Sequence, residues 1–578
     1  MDTKSFYGKQ RITHHKFLQD AVSEVEKSGK SVSIAICGPP DGGDDSDIEL
    51  ENDNEMTEVE NLPKEIAGEV DVFYESDSDE ENNEMASSHP KKFKFDTPKW
   101  KKVHLENKKS EVLGNPIHPA TELLRKYPYL TNFDEFGIYK EIFGDLIDLL
   151  IAETTKYASR DKNDKSFSLP EEDFWNFLGL LLLSGYNIRT SERDYWSKSK
   201  TLNSEAFIET MSRNKFLLIK RYLHAADNLN LGQSKMAKVK PLYDLLNKKL
   251  QMFGILHHKL SIDESMVPYY GRHSCKQFIK SKPIRFGYKL WMLCSSDGVP
   301  YHADIYEGRT DQNEVGPLGS RVVLKLLQVC KNPENHHIFM DNFFTSYDLL
   351  VQLKAKNFKA TGTVRENRLK HCPLIETKMM KKKERGSYDY RSDGKIEVVK
   401  WNDNSVVTLC SNITGVQPIN KVKRRVKGKG DTTVTQPAIV KEYNQGMGGV
   451  DLLDRSLSDM RPKILGKKWY WVLLVNVLNI STVFAWRIYQ MVRGEKMPQK
   501  DFRENLVNAM IKKEVPNPMN RPGPSKGIPC SVRTDGVGHY PQAITPRRCV
   551  MCKKNAKIQC CKCEKTLHLM LCFQKFHE

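Results

Sequence analysis

Apolar residues recur at helical spacing over 138–158, "IYKEIFGDLIDLLIAETTKYA", which predicts a long amphipathic helix. "SLPEEDFWNFLGLLLLSGYN" at 168–187 reads as a second helix, opened by a capping box of Ser168 with Glu171 and stopped at Gly185. "FIETMSRNKFLLIKRYLHAADN" and "KPLYDLLNKKLQMFG" add two more. Near Lys259 the period changes. "KLSIDESMVPYYG" is strand-like, and "RFGYKLWMLCSSDGVPYHADIY" reads as two strands joined by a turn at "SSDG". A helix over 320–330, a strand over 336–341, a helix over 346–357 and a strand over 358–364 follow. Three strands, then helix, strand, helix, strand, predict a mixed α/β unit with an antiparallel opening.

A β-meander over 378–412 and the basic loop "KVKRRVKGKGD" interrupt this unit. "KEYNQGMGGVDLLDRSL" then leads into a helix with Leu452, Leu453 and Leu457 on its apolar face. The most hydrophobic run, "YWVLLVNVLNISTVFAW", is short for a membrane span and carries Asn476 and Asn479. It predicts a helix buried in protein, and no membrane partner.

Charge changes the picture at both ends. The chain has 578 residues and a net charge of +17. Between Asp41 and Glu84 there are 19 acidic residues against one base, Lys64, so the remainder carries +35. A basic body of that size points to a polyanion, nucleic acid above all. Residues 1–115 hold few aromatics and many acids, which predicts disorder. Ser76 and Ser78 lie among acids as candidate phosphorylation sites, and the basic run "HPKKFKFDTPKWKK" reads as a nuclear address, a DNA contact or a linker. "MDTKSFYGKQ" lacks the apolar core of a secretory signal, so the expectation is an intracellular protein with reduced cysteines.

Three carboxylates share a setting. Asp263 lies in the first strand of the mixed unit, Asp341 ends its fourth, and Asp451 opens the helix after the interruption. If the first and fourth strands are neighbours, two carboxylates converge and the helix can deliver the third. Converging anions repel unless cations neutralise them. Hard oxygen ligands of this kind suit Mg²⁺ or Mn²⁺, and two ions about 4 Å apart can serve transfer at phosphorus. Taken singly, Asp263 is also readable as a turn residue, Asp341 as a helix cap and Asp451 as a charge favoured by the helix dipole. Asp454 shares a helical face with Asp451.

The stretches "SIDESMVPYYGRHSCKQFIKSKPIRFGYK", "HHIFMDNFFTS", "ATGTVRENR", "KERGSYDY", "WNDNSVV" and "YNQGMGGVDLLDR" resemble the piggyBac transposase family, over about 120–578. The resemblance implies a multidomain α+β chain. A helical DNA-binding and dimerisation region spans 116–257 and 459–520, and an RNase H-like core spans 258–365 and 438–458. A β-rich insertion occupies 366–437, a linker 521–545 and a Cys-rich domain 546–578. It implies Asp263, Asp341 and Asp451 as the metal triad, with Asp454 accessory. It implies a dimeric nuclear enzyme acting on double-stranded DNA. Each element end is nicked, the freed 3′-hydroxyl closes a hairpin on the opposite strand, and the reopened ends join TTAA targets. The other reading is a host-adopted relative that keeps DNA binding without transposition.

Six of the 13 cysteines crowd into the last 30 positions. Cys549-x2-Cys552 and Cys560-x2-Cys563, followed by His568, Cys572 and His577, are a zinc pattern. Seven ligands complete one Zn²⁺ site; a second needs an eighth, for which Cys561 and Cys530 are the candidates. The family's Cys-rich domain reads element-end DNA, and Arg547 and Arg548 fit phosphate contact there. Further basic candidates for DNA contact are Arg272, Lys276, Lys280, Lys282, Arg285 and Lys289, and Lys423, Arg424 and Arg425 of the basic loop.

Overall fold

The computed structural model describes residues 97–105, 117–271, 273–279, 282–308, 316–426, 430–511, 533–534 and 536–578, with four backbone strands before them. Those strands, β1 (Phe6–Tyr7), β2 (Gln10–His15), β3 (Val32–Cys37) and β4 (Glu69–Tyr74), form an antiparallel sheet in the order β1-β2-β4-β3. This departs from disorder throughout 1–115: "VSIAIC" and "EVDVFY" concentrate β-branched and aromatic residues that an average over the segment conceals. Ser76, Ser78, Arg272, Lys280 and Cys530 lie outside the described residues. The chain divides into two compact units, 1–513 and 514–578.

The first unit is built on a nine-stranded sheet. Three antiparallel strands open it: β5 (Lys259–Pro268), β7 (Phe286–Ser295) and β8 (Pro300–Ile305), with β7 between the other two. The short β6 (Gln277–Phe278) also pairs with β7. On its other edge β5 runs parallel to β9 (His337–Met340), and β9 runs parallel to β10 (Lys359–Thr363). Helices Leu318–Leu326 and Tyr347–Ala355 make the crossovers, as the change of period predicts.

The expected insertion does not stand apart. β13 (Val406–Ser411) pairs with β10 and carries β12 (Glu397–Asn402) and β11 (Tyr388–Ser392) outward, so the meander extends the same sheet. A separate hairpin, β14 (Asn420–Val426) with β15 (Gly430–Gln436), follows. Residues 97–105 bind this edge. Lys101 bridges Ser392, Trp100 packs edge-on against Tyr347, and His104 stacks on Tyr390 at 4.4 Å.

Helices from both sides of the sheet-forming sequence combine. Arg493 donates to the carbonyls of Thr131 and Phe133, and Asn505 donates to Glu135. The helix Trp471–Arg493 has the length and hydropathy of a membrane span, yet 83% of its apolar window is buried against these neighbours. Ser168 is not the cap of the helix Glu171–Leu183. Pro170 takes that position with its rigid φ and offers no side-chain hydrogen bond.

The second unit contains β16 (Pro541–Arg548), β17 (Asn555–Cys560), β18 (Thr566–Leu567) and the helix Leu571–His577. Its core is largely thiol: buried Cys549, Cys560 and Cys563 with Ala556 and Leu567.

Candidate functional site

The parallel pairing of β5 with β9 sets Ile262 opposite Met340. Asp263 and Asp341 are the next residues along each strand. Asp263 is 8% exposed. The helix Gly449–Asp459 lies against the same face of β5. Ser261 Oγ donates to the Met447 carbonyl at 2.6 Å, and Ser265 Oγ donates to Asp454. The approach requires glycine: a Cβ on Gly449 would stand 2.0 Å from the Ser295 carbonyl oxygen. At the end of the preceding helix, Ala438–Gly446, a Cβ on Gly446 would meet the Phe339 ring at 2.3 Å. The sequence "NQGMGG" is thus the surface on which the helix carrying Asp451 and Asp454 seats itself.

The electrostatics match crowded anions. Burial, then Glu264 and Asp341, push the Asp263 carboxyl well above the usual range. Burial and Glu264 also raise Asp341, although it accepts from the Phe343 amide at 2.9 Å. Asp341 therefore caps the turn and faces the other carboxylates at once. Burial pushes Asp454 up to about 6, against the Ser265 bond and the charges of Lys282 and Arg461. Asp451 is exposed. The carboxylate oxygens are not among the ligand sets that close to within 4.8 Å of one another. A pair of ions about 4 Å apart accepts so open a set, because each oxygen needs to reach only one of them.

Two basic residues complete the site. Burial lowers the Lys282 ammonium, but Asp263, Glu264, Asp451 and Asp454 outweigh it and keep it charged. Its Nζ lies 3.5 Å from Glu264 Oε1. Lys289 Nζ sits 4.0 Å from the centre of the Trp291 ring and 5.0 Å from that of Phe343, which stacks on Trp291. Glu264 and Tyr443 escaped the sequence reading, whereas Lys289 stands in the basic run that follows Asp263. Tyr443 is raised to about 12 by burial, with Asp341, Asp263 and Asp451 adding to it. Glu264 adjoins Asp263 in "IDES", which is a signal, whereas nothing local marks Tyr443.

The basic candidates divide. Lys276 is 3% exposed and spends its ammonium on the Gly271 carbonyl at 2.9 Å, so it is a buried structural residue rather than a DNA contact. Arg285 is exposed. On β14, Lys421, Lys423 and Arg425 share one exposed face, while Arg424 is tied to Asp403 at 3.2 Å. Arg547 and Arg548 are exposed on β16.

The second unit brings eight cysteine and histidine side chains into two sets that could each hold a metal ion, the ligand atoms of each lying within 4.8 Å of one another: Cys549, Cys552, His568 and Cys572, and His539, Cys560, Cys563 and His577. Among the described residues, His539 rather than Cys561 supplies the eighth place; Cys530 lies outside them. Cys561 is exposed and faces Gln542. The sets interleave along the chain. Each Cys-x2-Cys turn ends on a left-handed residue, Lys553 at φ 61° and Glu564 at φ 51°, whose amides donate back to Cys549 and Cys560. His568 Nε2 faces the Asn555 carbonyl at 2.9 Å, which turns Nδ1 toward Cys552. His577 Nδ1 faces the Phe573 carbonyl at 2.7 Å, leaving a buried Nε2 without a hydrogen-bond partner. An orphaned ring nitrogen beside two thiols fits a metal ligand.

The chain is similar to known proteins over most of its length. The family profile described as Transposase IS4 matches residues 134–486. The human PiggyBac transposable element-derived protein 3 is 32% identical over 96% of this chain and 97% of its own. The human PiggyBac transposable element-derived protein 2 is 31% identical over 76% of each. Among solved structures, a piggyBac transposase synaptic complex with hairpin DNA has a TM-score of 0.57 at 23% identity, covering 76% of this chain and 96% of that one.

Proposed function

The chain belongs to the piggyBac transposase family, and from that premise we propose that it is a DNA transposase that cuts and joins strands at one carboxylate site. The observation that carries this reading is the register of β5 and β9, which makes Asp263 and Asp341 neighbours beneath the helix of Asp451 and Asp454. We read the sheet β8-β7-β5-β9-β10 as an RNase H-like core, since three antiparallel strands are followed by two parallel ones across helical crossovers.

Mg²⁺ or Mn²⁺ fits Asp263, Asp341 and Asp451, whose carboxyls are crowded, hard and in need of neutralisation. When bound, such cations polarise the phosphodiester as Lewis acids. The chain's own residues do the rest. Ser265 donates to Asp454 Oδ1 and so orients that carboxylate beside β5. Lys282 keeps a positive charge beside the carboxylates, where a phosphate enters. Nicking, hairpin closure and insertion at TTAA follow the family's course, and the hairpin DNA of the solved relative fits it. Substrates are the element ends and target DNA, cut by a homodimer in the nucleus. Thiolate and imidazole in sets of four suit two Zn²⁺ ions in the second unit, whose Arg547 and Arg548 would meet phosphates.

A second reading rests on the names of the human relatives, which call them transposable element-derived. It makes this chain a host-adopted DNA-binding protein without transposition. Excision of a reporter flanked by the source element's own ends separates the two. The first predicts excision by the wild type and none by Asp341→Asn. Equal excision by both sinks it, and no excision by either leaves the second.

A further inference from the structure

The helix Gly449–Asp459 is held at its C-terminal end by side chains from a different part of the chain. Gln499 Nε2 donates to the Ser456 carbonyl at 2.9 Å, and Asn479 Nδ2 donates to the Leu457 carbonyl at 2.8 Å. Arg503 Nη1 donates to the Met460 carbonyl at 2.5 Å, and its Nη2 donates to Asn479 Oδ1 at 2.6 Å. Arg503 is wholly buried, Asn479 nearly so.

This arrangement is costly as a way to stabilise a core. A buried guanidinium without a carboxylate is unfavourable, and a hydrophobic residue of similar volume is often as good or better. Burial pushes Arg503 down to about 10, with Tyr139 and Tyr186 partly opposing it. What compensates the charge is a helix end. The last carbonyls of Gly449–Asp459 carry the negative pole of that helix, and Arg503 and Asn479 supply donors to groups the helix cannot satisfy itself. Because Arg503 also fixes the Asn479 amide, the two form one unit. Asp451 and Asp454 ride on the helix they clamp.

We propose that Arg503 and Asn479 are positioning residues that hold Asp451 and Asp454 against β5, so that the helical region sets the geometry of the carboxylate site. The proposal rests on the metal reading above for its purpose, and its test separates the two. Full-length, zinc-loaded wild type is compared with Arg503→Met, Arg503→Lys, Asn479→Asp and Asp451→Asn. The measurements are thermal unfolding, Mn²⁺ binding and hydrogen exchange.

Arg503→Met removes a buried charge but leaves the Met460 carbonyl and Asn479 Oδ1 without their donor, and the two effects oppose each other, so the unfolding temperature changes little. Its Mn²⁺ affinity falls by about 10–100-fold, the range for lost outer-shell support. Amides of 449–459 exchange faster than in the wild type, while those of β5 and β9 do not. Asn479→Asp keeps Arg503 satisfied and removes the donor to Leu457, so it gives the same signature. Arg503→Lys restores part of the affinity. Unchanged exchange in 449–459 overturns the proposal. So does unchanged Mn²⁺ affinity where Asp451→Asn abolishes binding. If the wild type binds Mn²⁺ no better than Asp451→Asn, the metal reading fails instead, and exchange alone decides the clamp.

Discussion

The Ser265 hydroxyl donates to Asp454 across the seam between β5 and the helix that follows "GMGG". It joins a strand residue to a carboxylate 189 positions later. Because burial has pushed Asp454 up to about 6, this carboxyl loses its charge just below neutrality. Divalent cation binding should therefore rise with pH through about 6 and level off above it. Ser265→Ala removes a bond that favours the anion, which moves that midpoint upward. Titration of Mn²⁺ binding from pH 5 to 8 checks both. A midpoint that ignores the substitution refutes the assignment.

Asp263 is destabilised by its own neighbours. Burial and two adjacent carboxyls raise it, so Asp263→Asn removes a group that the cation-free fold tolerates poorly. The variant should unfold at higher temperature than the wild type without divalent cations, and gain less when they are added. Its strand cleavage should fall by roughly a thousandfold, since metal charge stabilisation is worth several kcal/mol. Opposite movement of stability and activity distinguishes a functional carboxylate from a structural one.

Much of this site was legible in the sequence because its parts are local. "SIDES" reads as a strand, "HIFMD" ends on its aspartate, and "GVDLLDRSL" reads as a helix opened by Asp451. What local pattern cannot supply is long-range pairing. Nothing in "VVTLC" says that β13 joins β10 rather than forming a separate insertion. Lys276 and Lys282 look alike as residues of a basic run, but one is buried on a carbonyl and the other sits among carboxylates. His539 lies ten residues before Cys549, outside the Cys-rich run, and only a count of seven ligands for two sites pointed to a missing one.

The second unit should hold two Zn²⁺ ions. His539→Ala and Cys552→Ala should each lower the measured zinc content by one, and Cys561→Ala should leave it at two. With so few apolar residues in its core, the unit should lose its structure on chelation, as small metal-built modules do. Metal analysis with circular dichroism or NMR of the second unit reads each outcome. Retention of two ions by His539→Ala would return the eighth place to another residue.

The exposed basic face of β14 makes a quantitative prediction about salt. Lys423 and Arg425 are exposed together, and Arg424 is paired with Asp403. Each lost phosphate contact lowers the slope of log affinity against log salt by about 0.9. Lys423→Ala with Arg425→Ala should therefore flatten the slope by about 1.8. Arg424→Ala and Lys276→Met should leave it unchanged in whatever fraction remains folded. Equal slopes for all variants would remove the hairpin from the DNA interface.

Acid should unfold the first unit through His337. This residue begins β9, is 4% exposed, stacks on Phe339 at 4.2 Å and contacts Thr361 Oγ1 through Nε2 at 2.8 Å. Burial, with His258, Lys259 and Lys359 beside it, lowers it to about 3. An unfolded histidine titrates near 6.5, so between those values the unfolded chain binds the extra proton. Stability from this residue is therefore complete above about 6.5 and is lost as pH falls. At about pH 4.5 the loss is on the order of 2–3 kcal/mol. His337→Gln can keep a bond to Thr361 and cannot take up the proton. The difference in unfolding free energy between pH 7.5 and 4.5 should shrink in that variant by this amount. A variant that remains as acid-labile as the wild type would place the sensitivity in His258 and His336, which burial also lowers.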